Sequence, residues 1–192
     1  MKTNRLEAFS DGVIAIILTI MVLAIPMPEK LDQAGQLALL SSVAVYFVSF
    51  VVVANFWVMH RAFFDRYETV EPRTNWLNIV FLFALSLVPL LTKLVLEHPE
   101  SSLVVVGYGG VFLAVNVLYT FMVMSMTDLH DRDKRRKVAK DAWQLPAICL
   151  VLIAVASVSP RIATFLYVVM PLASMVRGLL RRERGTPARR AC

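Results

Sequence analysis

The chain has 192 residues, 58% hydrophobic and only 18% charged, with a mean hydropathy of +0.65. Soluble domains carry roughly 45–50% apolar and about 25% charged residues; here the apolar excess is gathered into long blocks, which excludes a nucleic-acid-binding module, a secreted disulfide scaffold and most soluble enzymes. The net charge of +6 therefore becomes a question of which side of a membrane the basic residues occupy.

A bilayer core of about 30 Å takes about 20 helical residues. Six blocks are predicted to cross it: Phe9 to Ile25, Leu37 to His60, Trp76 to Leu96, Leu103 to Met126, Leu145 to Val158 and Ile162 to Val176. The expected fold is all-α, a single polytopic six-helix unit over residues 1–192 that ends in a basic tail, 177–192. Pro26, Pro28 and Pro99 stop helices, whereas Pro146, Pro160 and Pro171 threaten to break or tilt the fifth and sixth spans. Ser10 and Asp11 interrupt the first block and no A-x-A cleavage pattern follows, so it is read as a retained span and not a signal peptide. Cys149 in an apolar block and Cys192 in the tail imply no disulfide framework.

The connections alternate in charge. Of 20 basic residues, 17 fall on the side that holds both termini, Arg61 to Arg73 and Asp128 to Gln144, leaving Lys30, Lys93 and Arg161 opposite. The positive-inside rule then places both termini in the cytoplasm, with the chain in the cell membrane. The basic stretch Asp128 to Lys140 reads as a solvated loop near anionic lipid, with no metal-ligand spacing around His130 and no nucleic-acid partner implied. No internal repeat is visible.

The first block carries the chemistry. Asn4 with Glu7 three residues later has the form of a capping box, predicting a helix start at Arg5 and placing Ser10 and Asp11 in the second turn. Ionisable groups at membrane entry are costly unless paired or wet, and mark functional sites; Arg5 and His60 are the available partners for Asp11. The bland alternative is a polar clamp that joins helices without touching substrate. Further along, Ile16, Ile20 and Leu23 share one face at i, i+4, i+7, with Thr19 at its edge; periodicity alone reads this as a packed or lipid-facing stripe.

Arg5-x-x-x-Phe9-Ser10-Asp11, followed by Gly12-Val13-x-Ala15 and an aliphatic run, and Asn55-Phe56-Trp57-x-x-His60 in the second block together resemble the transmembrane protein 175 family, potassium channels whose bacterial relatives carry one six-helix unit per chain. The resemblance implies a homotetramer around a pore lined by the first helix of each copy. It assigns the constriction to Ile16, Ile20 and Leu23, a selectivity layer to Thr19, and a helix-register network to Arg5, Phe9, Ser10, Asp11, Trp57 and His60. Under that assignment the protein passes potassium and other monovalent cations and needs no cofactor or metal. A ring of isoleucines offers nothing to replace an ion's hydration shell and gates by dewetting; selectivity for potassium over sodium is then modest. A proton-coupled secondary transporter using Asp11 and His60 is the alternative, and a non-conducting scaffold a third.

Val105-Val106-Gly107-Tyr108-Gly109 looks like the backbone-carbonyl filter of other potassium channels. It lacks the threonine and the preceding re-entrant helix, and is read as a small-residue strip (Gly107, Gly109, Gly110) for close packing of the fourth helix. Tyr46, Tyr119, Tyr167, Trp76 and Trp143 are read as interface anchors, and Lys93 as a residue that snorkels to the interface. No enzyme motif is present.

Overall fold

The computed structural model describes residues 2–23, 25–126 and 132–184. Its elements are α1 Thr3–Leu23, α2 Gln33–Phe64, α3 Pro72–Glu97, α4 Ser102–Met126, α5 Arg132–Val158 and α6 Pro160–Arg184. Five of them are long and apolar enough to cross a bilayer. In α6 the apolar part is Pro160–Val176, about 25 Å of helix at 1.5 Å per residue, at the lower limit for a span.

Sequence rules set most boundaries. Asp32 caps α2, its carboxylate accepting from Gly35 N at 2.8 Å. Pro72 opens α3 and Pro160 opens α6, where a missing N–H costs nothing. The start of α1 differs from expectation: the helix begins at Thr3, so Asn4 lies inside its first turn and not at the cap. A tertiary contact fixes that start instead, Thr3 N donating to Glu68 O at 3.1 Å beside a bridge between Lys2 and Thr69.

α5 also departs from the sequence reading, because Arg132–Gln144 is helical and not a loop. Lys, Arg, Ala and Gln are good helix formers, and hydropathy registers only where the apolar part begins. Asp128 to Asp131, including His130, lie outside the described residues, as do residues 185–192 of the basic tail; residues 177–184 continue α6.

Prolines 89, 146 and 171 lie within helices without ending them. Pro146 cannot donate to the carbonyl four residues back, Ala142 O, and Thr120 Oγ1 of α4 stands 3.0 Å from that oxygen and 2.9 Å from Asn116 O of its own helix, sharing one proton between the two, a way for a neighbouring helix to help re-satisfy the backbone in a membrane. Beside Pro171, Asn55 Nδ2 of α2 donates to Pro171 O at 3.1 Å, and Ser174 Oγ lies 3.0 Å from Asn55 Oδ1. Both prolines thereby sit at helix contacts.

α3, α4 and α5 pack in sequence, α2 lies against α3 and α6, and α1 rests on α2 and α3. The core is aromatic and branched: Phe56, Phe64, Phe81, Leu85, Val115 and Met122 are buried. Phe56 meets Phe112 and Phe81 edge-on, at 5.5 and 6.2 Å between ring centroids. Two tyrosines read as interface anchors belong to this interior. Tyr167 is buried against Tyr108, and Tyr119 donates to Met59 O at 3.1 Å.

The stretch Val105 to Gly109 is α-helical within α4, so its amides and carbonyls serve the helix and cannot form a filter. Of the three glycines Gly107, Gly109 and Gly110 in α4, only Gly109 packs tightly within the chain. A Cβ there would fall 2.3 Å from the Tyr167 hydroxyl and 2.7 Å from Ile153 Cγ1, whereas Gly107 and Gly110 face open space.

Candidate functional site

α1 has two unlike faces. Thr3, Leu6, Ser10 and Ile14, spaced at three and four, are buried against α2 and α3. The opposite stripe is open: Phe9, Ile16, Ile20 and Leu23 are 53, 56, 57 and 81% exposed.

The buried face is held by a directional chain of hydrogen bonds. Ser10 Oγ donates to Leu6 O at 2.8 Å and accepts from Asn78 Nδ2 at 2.9 Å. With its amide nitrogen so committed, Asn78 turns Oδ1 toward His60 Nε2 at 2.7 Å. A carbonyl oxygen only accepts, so His60 carries its proton on Nε2. The imidazole is 1% exposed, stacked on Phe81 and tilted against Phe64. Ser10, Asn78 and His60 thus each have a partner in this buried row, as burial demands, and the row binds α1, α2 and α3 at one level.

Asp11 sits beside this row but in water. Its Oδ1 accepts from Trp57 Nε1 at 2.7 Å, and the Arg61 guanidinium lies over the same indole at 5.7 Å from the ring centre. Asp11 and His60, expected as a pair, therefore have separate partners, Trp57 and Asn78. Arg5 and Phe9 do not join the network: both are exposed, and they follow Gly12, Ile16, Thr19 and Leu23 along the open stripe. At 100° per residue, positions 5 and 9 point well away from Ser10.

Thr19 is exposed, and its Oγ1 stands 2.9 Å from Ala15 O and 3.1 Å from Ile16 O. The hydroxyl proton is thus spent on the helix's own backbone, a familiar helix back-bond, and the oxygen lone pairs face outward. Among the described residues, no group of His, Cys, Asp and Glu side chains is arranged to hold a metal ion.

Asn78 is the functional-site residue that sequence reasoning missed. Its signal was an amide inside an otherwise apolar block, Leu77-Asn78-Ile79-Val80-Phe81, where a buried polar group needs a partner on another helix.

Residues 5–89, which hold this entire network, match the family model described as endosomal/lysosomal potassium channel TMEM175. The fold matches the crystal structure of a lysosomal potassium-selective channel TMEM175 homolog from Chamaesiphon minutus with a TM-score of 0.76 and 26% identity, over 91% of this chain and 97% of that one. Over residues 5–89 the chain is thus similar in sequence to the TMEM175 family, and over nearly its whole length it shares the fold of a TMEM175 homolog. A family relative in Chryseobacterium sp. (strain P1-3), named as a potassium channel, is 36% identical over 122 residues, 64% of each chain. A TMEM175 of Gallus gallus, named as an endosomal/lysosomal proton channel, is 24% identical over 195 residues, covering 93% of this chain and 37% of that one. The chain thus spans less than two thirds of the length of these curated relatives. TMEM175 is a family of membrane channels and not of enzymes.

Proposed function

We propose that this chain is one subunit of a potassium-permeable cation channel in which four α1 helices meet on an axis. Residues 1–192 act as one transmembrane unit, in the cell membrane, with both termini and the basic segment from residue 177 in the cytoplasm. Ile16, Ile20 and Leu23 form the constriction and Thr19 the layer that favours potassium. Ser10, Asp11, Trp57 and His60, with Asn78, keep the pore helix in register, and Arg5 and Phe9 line the approach on the same stripe.

The observation that carries this reading is the two-faced α1: anchored to α2 and α3 by a hydrogen-bonded polar row, it leaves its branched aliphatic residues without cover. One chain cannot enclose a pore with a single helix, and closed symmetry supplies the missing walls. Aliphatic rings separated by about 1.5 Å of rise per residue make a dry barrier that conducts only when wetted. Thr19 oxygens, with their protons turned away, offer the ion only weak dipoles, so discrimination against sodium is modest. Asp11 adds negative field at the basic end of the bundle.

Potassium flux into vesicles holding the reconstituted protein, with no other ion gradient, tests the reading. Ile16→Asn wets the barrier and raises the flux several-fold or changes its selectivity; an unaltered flux would put the pathway elsewhere. The proton-coupled transporter gains nothing from the geometry, since Asp11 and His60 have different partners. The animal relative's name favours a second reading, proton passage through the same constriction; vesicle acidification down a proton gradient, blocked or enhanced by the same Ile16 variant, measures it.

A further inference from the structure

Behind the C-terminal half of α1 lies a cleft of about 540 Å³ between three helices, walled by Ile17 and Met21 of α1, Val45 and Tyr46 of α2, and Pro89 and Leu90 of α3. It opens where α1, beyond Ile14, has no fully buried residue and Ile17 and Leu18 are only partly covered by the core. We propose that this cleft is a phospholipid site, one acyl chain lying between α1, α2 and α3 with a zwitterionic headgroup on Lys93 and Glu97.

Three features select that occupant. The volume falls in the range of sites for small organic molecules, roughly 300–1,000 Å³, so side chains alone do not fill it. Its interior is mostly apolar: the hydroxyls of Ser42, Ser49 and Ser86 are committed to Ala38 O, Val45 O and Phe83 O on their own helices, at 3.0, 3.1 and 2.7 Å, which leaves the Tyr46 hydroxyl as the other neutral polar side-chain group of the wall. Its charge is confined to one end, where Lys93 Nζ and Glu97 Oε1 lie 3.9 Å apart, half-exposed, near the C-terminal end of α3. The expected span Trp76 to Leu96 puts that end at the membrane interface, where it offers an ammonium to a phosphate and a carboxylate to a choline or ethanolamine nitrogen. From Ser86 to Glu97 the wall runs about 16 Å at 1.5 Å per residue, a length suited to an extended hydrocarbon chain. A bound tail backs α1 at Ile16 and Ile20, which also border the cleft.

The proposal rests on the membrane-spanning fold and not on conduction, so a protein that passes no ion still tests it. The protein is reconstituted with phosphatidylcholine carrying a photoreactive diazirine on its tail, irradiated, and the adducts are mapped by mass spectrometry. Adducts on Met21, Val45 or Tyr46 are expected, with a several-fold loss in Ser49→Trp, which fills the cleft. Lys93→Gln with Glu97→Gln, both at half-exposed positions, should lower the cleft adducts several-fold and leave those on exposed Phe83 and Leu103 unchanged. Background labelling inside the cleft beside strong labelling of Phe83 would overturn the site; it is the pattern expected when a neighbouring subunit fills the space. Cleft labelling indifferent to the Lys93 and Glu97 changes would overturn the headgroup assignment.

Discussion

The two halves of α1 are built for opposite purposes. From Thr3 to Ile14 the helix is tied to its own chain by backbone contact with Glu68, by the row Ser10, Asn78 and His60, and by Trp57 on Asp11. From Ala15 to Leu23 its one side-chain hydrogen-bonding group, Thr19, bonds to its own backbone, a cleft lies behind it, and large aliphatic side chains stand in the open. The contrast teaches that anchoring is confined to one half of the helix: polar bonds, which are directional, fix where α1 stands, while the far half has only non-directional apolar contacts to its own chain.

Substitutions in the first half should therefore cost stability, and those in the second should change flux with little cost to the fold. The largest effect is expected for Asn78→Leu. It strands the His60 N–H among aromatic rings and removes the donor to Ser10, and a stranded buried group costs about 1–3 kcal/mol. Thermal unfolding of the solubilised protein measures the loss, and adding His60→Phe should recover part of it because both partners are then apolar. Gly109→Val comes next, forcing a branched side chain against Tyr167 and Ile153 for about 1–3 kcal/mol of overpacking, read in the same unfolding assay. It bears on the α4 contact and not on α1, so potassium flux per folded protein should hold.

Trp57→Phe removes the indole N–H from Asp11. The bond is charge-assisted but open to water, so the expected cost is about 1 kcal/mol. A larger loss would mean that Asp11 also anchors the fold by another route. Thr19→Val is the sharpest test of the second half. It should shift stability by less than about 0.5 kcal/mol, the usual bound for exposed changes, yet reduce the preference for potassium over sodium in vesicle flux. If instead it melts the protein like Asn78→Leu, the two halves of α1 are not functionally distinct.

Much of the fold could be read from hydropathy, because a lipid-immersed helix must be apolar over a length set by the bilayer. The same rule hid the start of α5, where Arg132 to Gln144 form helix without being greasy, and it could not say that Pro146 is accommodated by Thr120 from another helix. The site was legible in part for a related reason. Ser10, Asp11, Trp57 and His60 stand out as polar groups in or beside apolar blocks, but who pairs with whom depends on the rotation and depth of three separate helices. Hence His60 meets Asn78 and not Asp11, and Arg5 and Phe9 turn outward to the stripe. The family motif names residues together because they are near in sequence, which does not make them neighbours in space.

The bond between Ser10 and Asn78 joins positions 68 residues apart. During synthesis α1 reaches the lipid long before α3 has left the ribosome, with the serine hydroxyl still short of its donor. Insertion of the first helix and its docking are consequently separate events, as in a two-stage assembly. Between them the nascent segment has only α2 to lean on, through Trp57 and Asp11, and the third helix has yet to set its register.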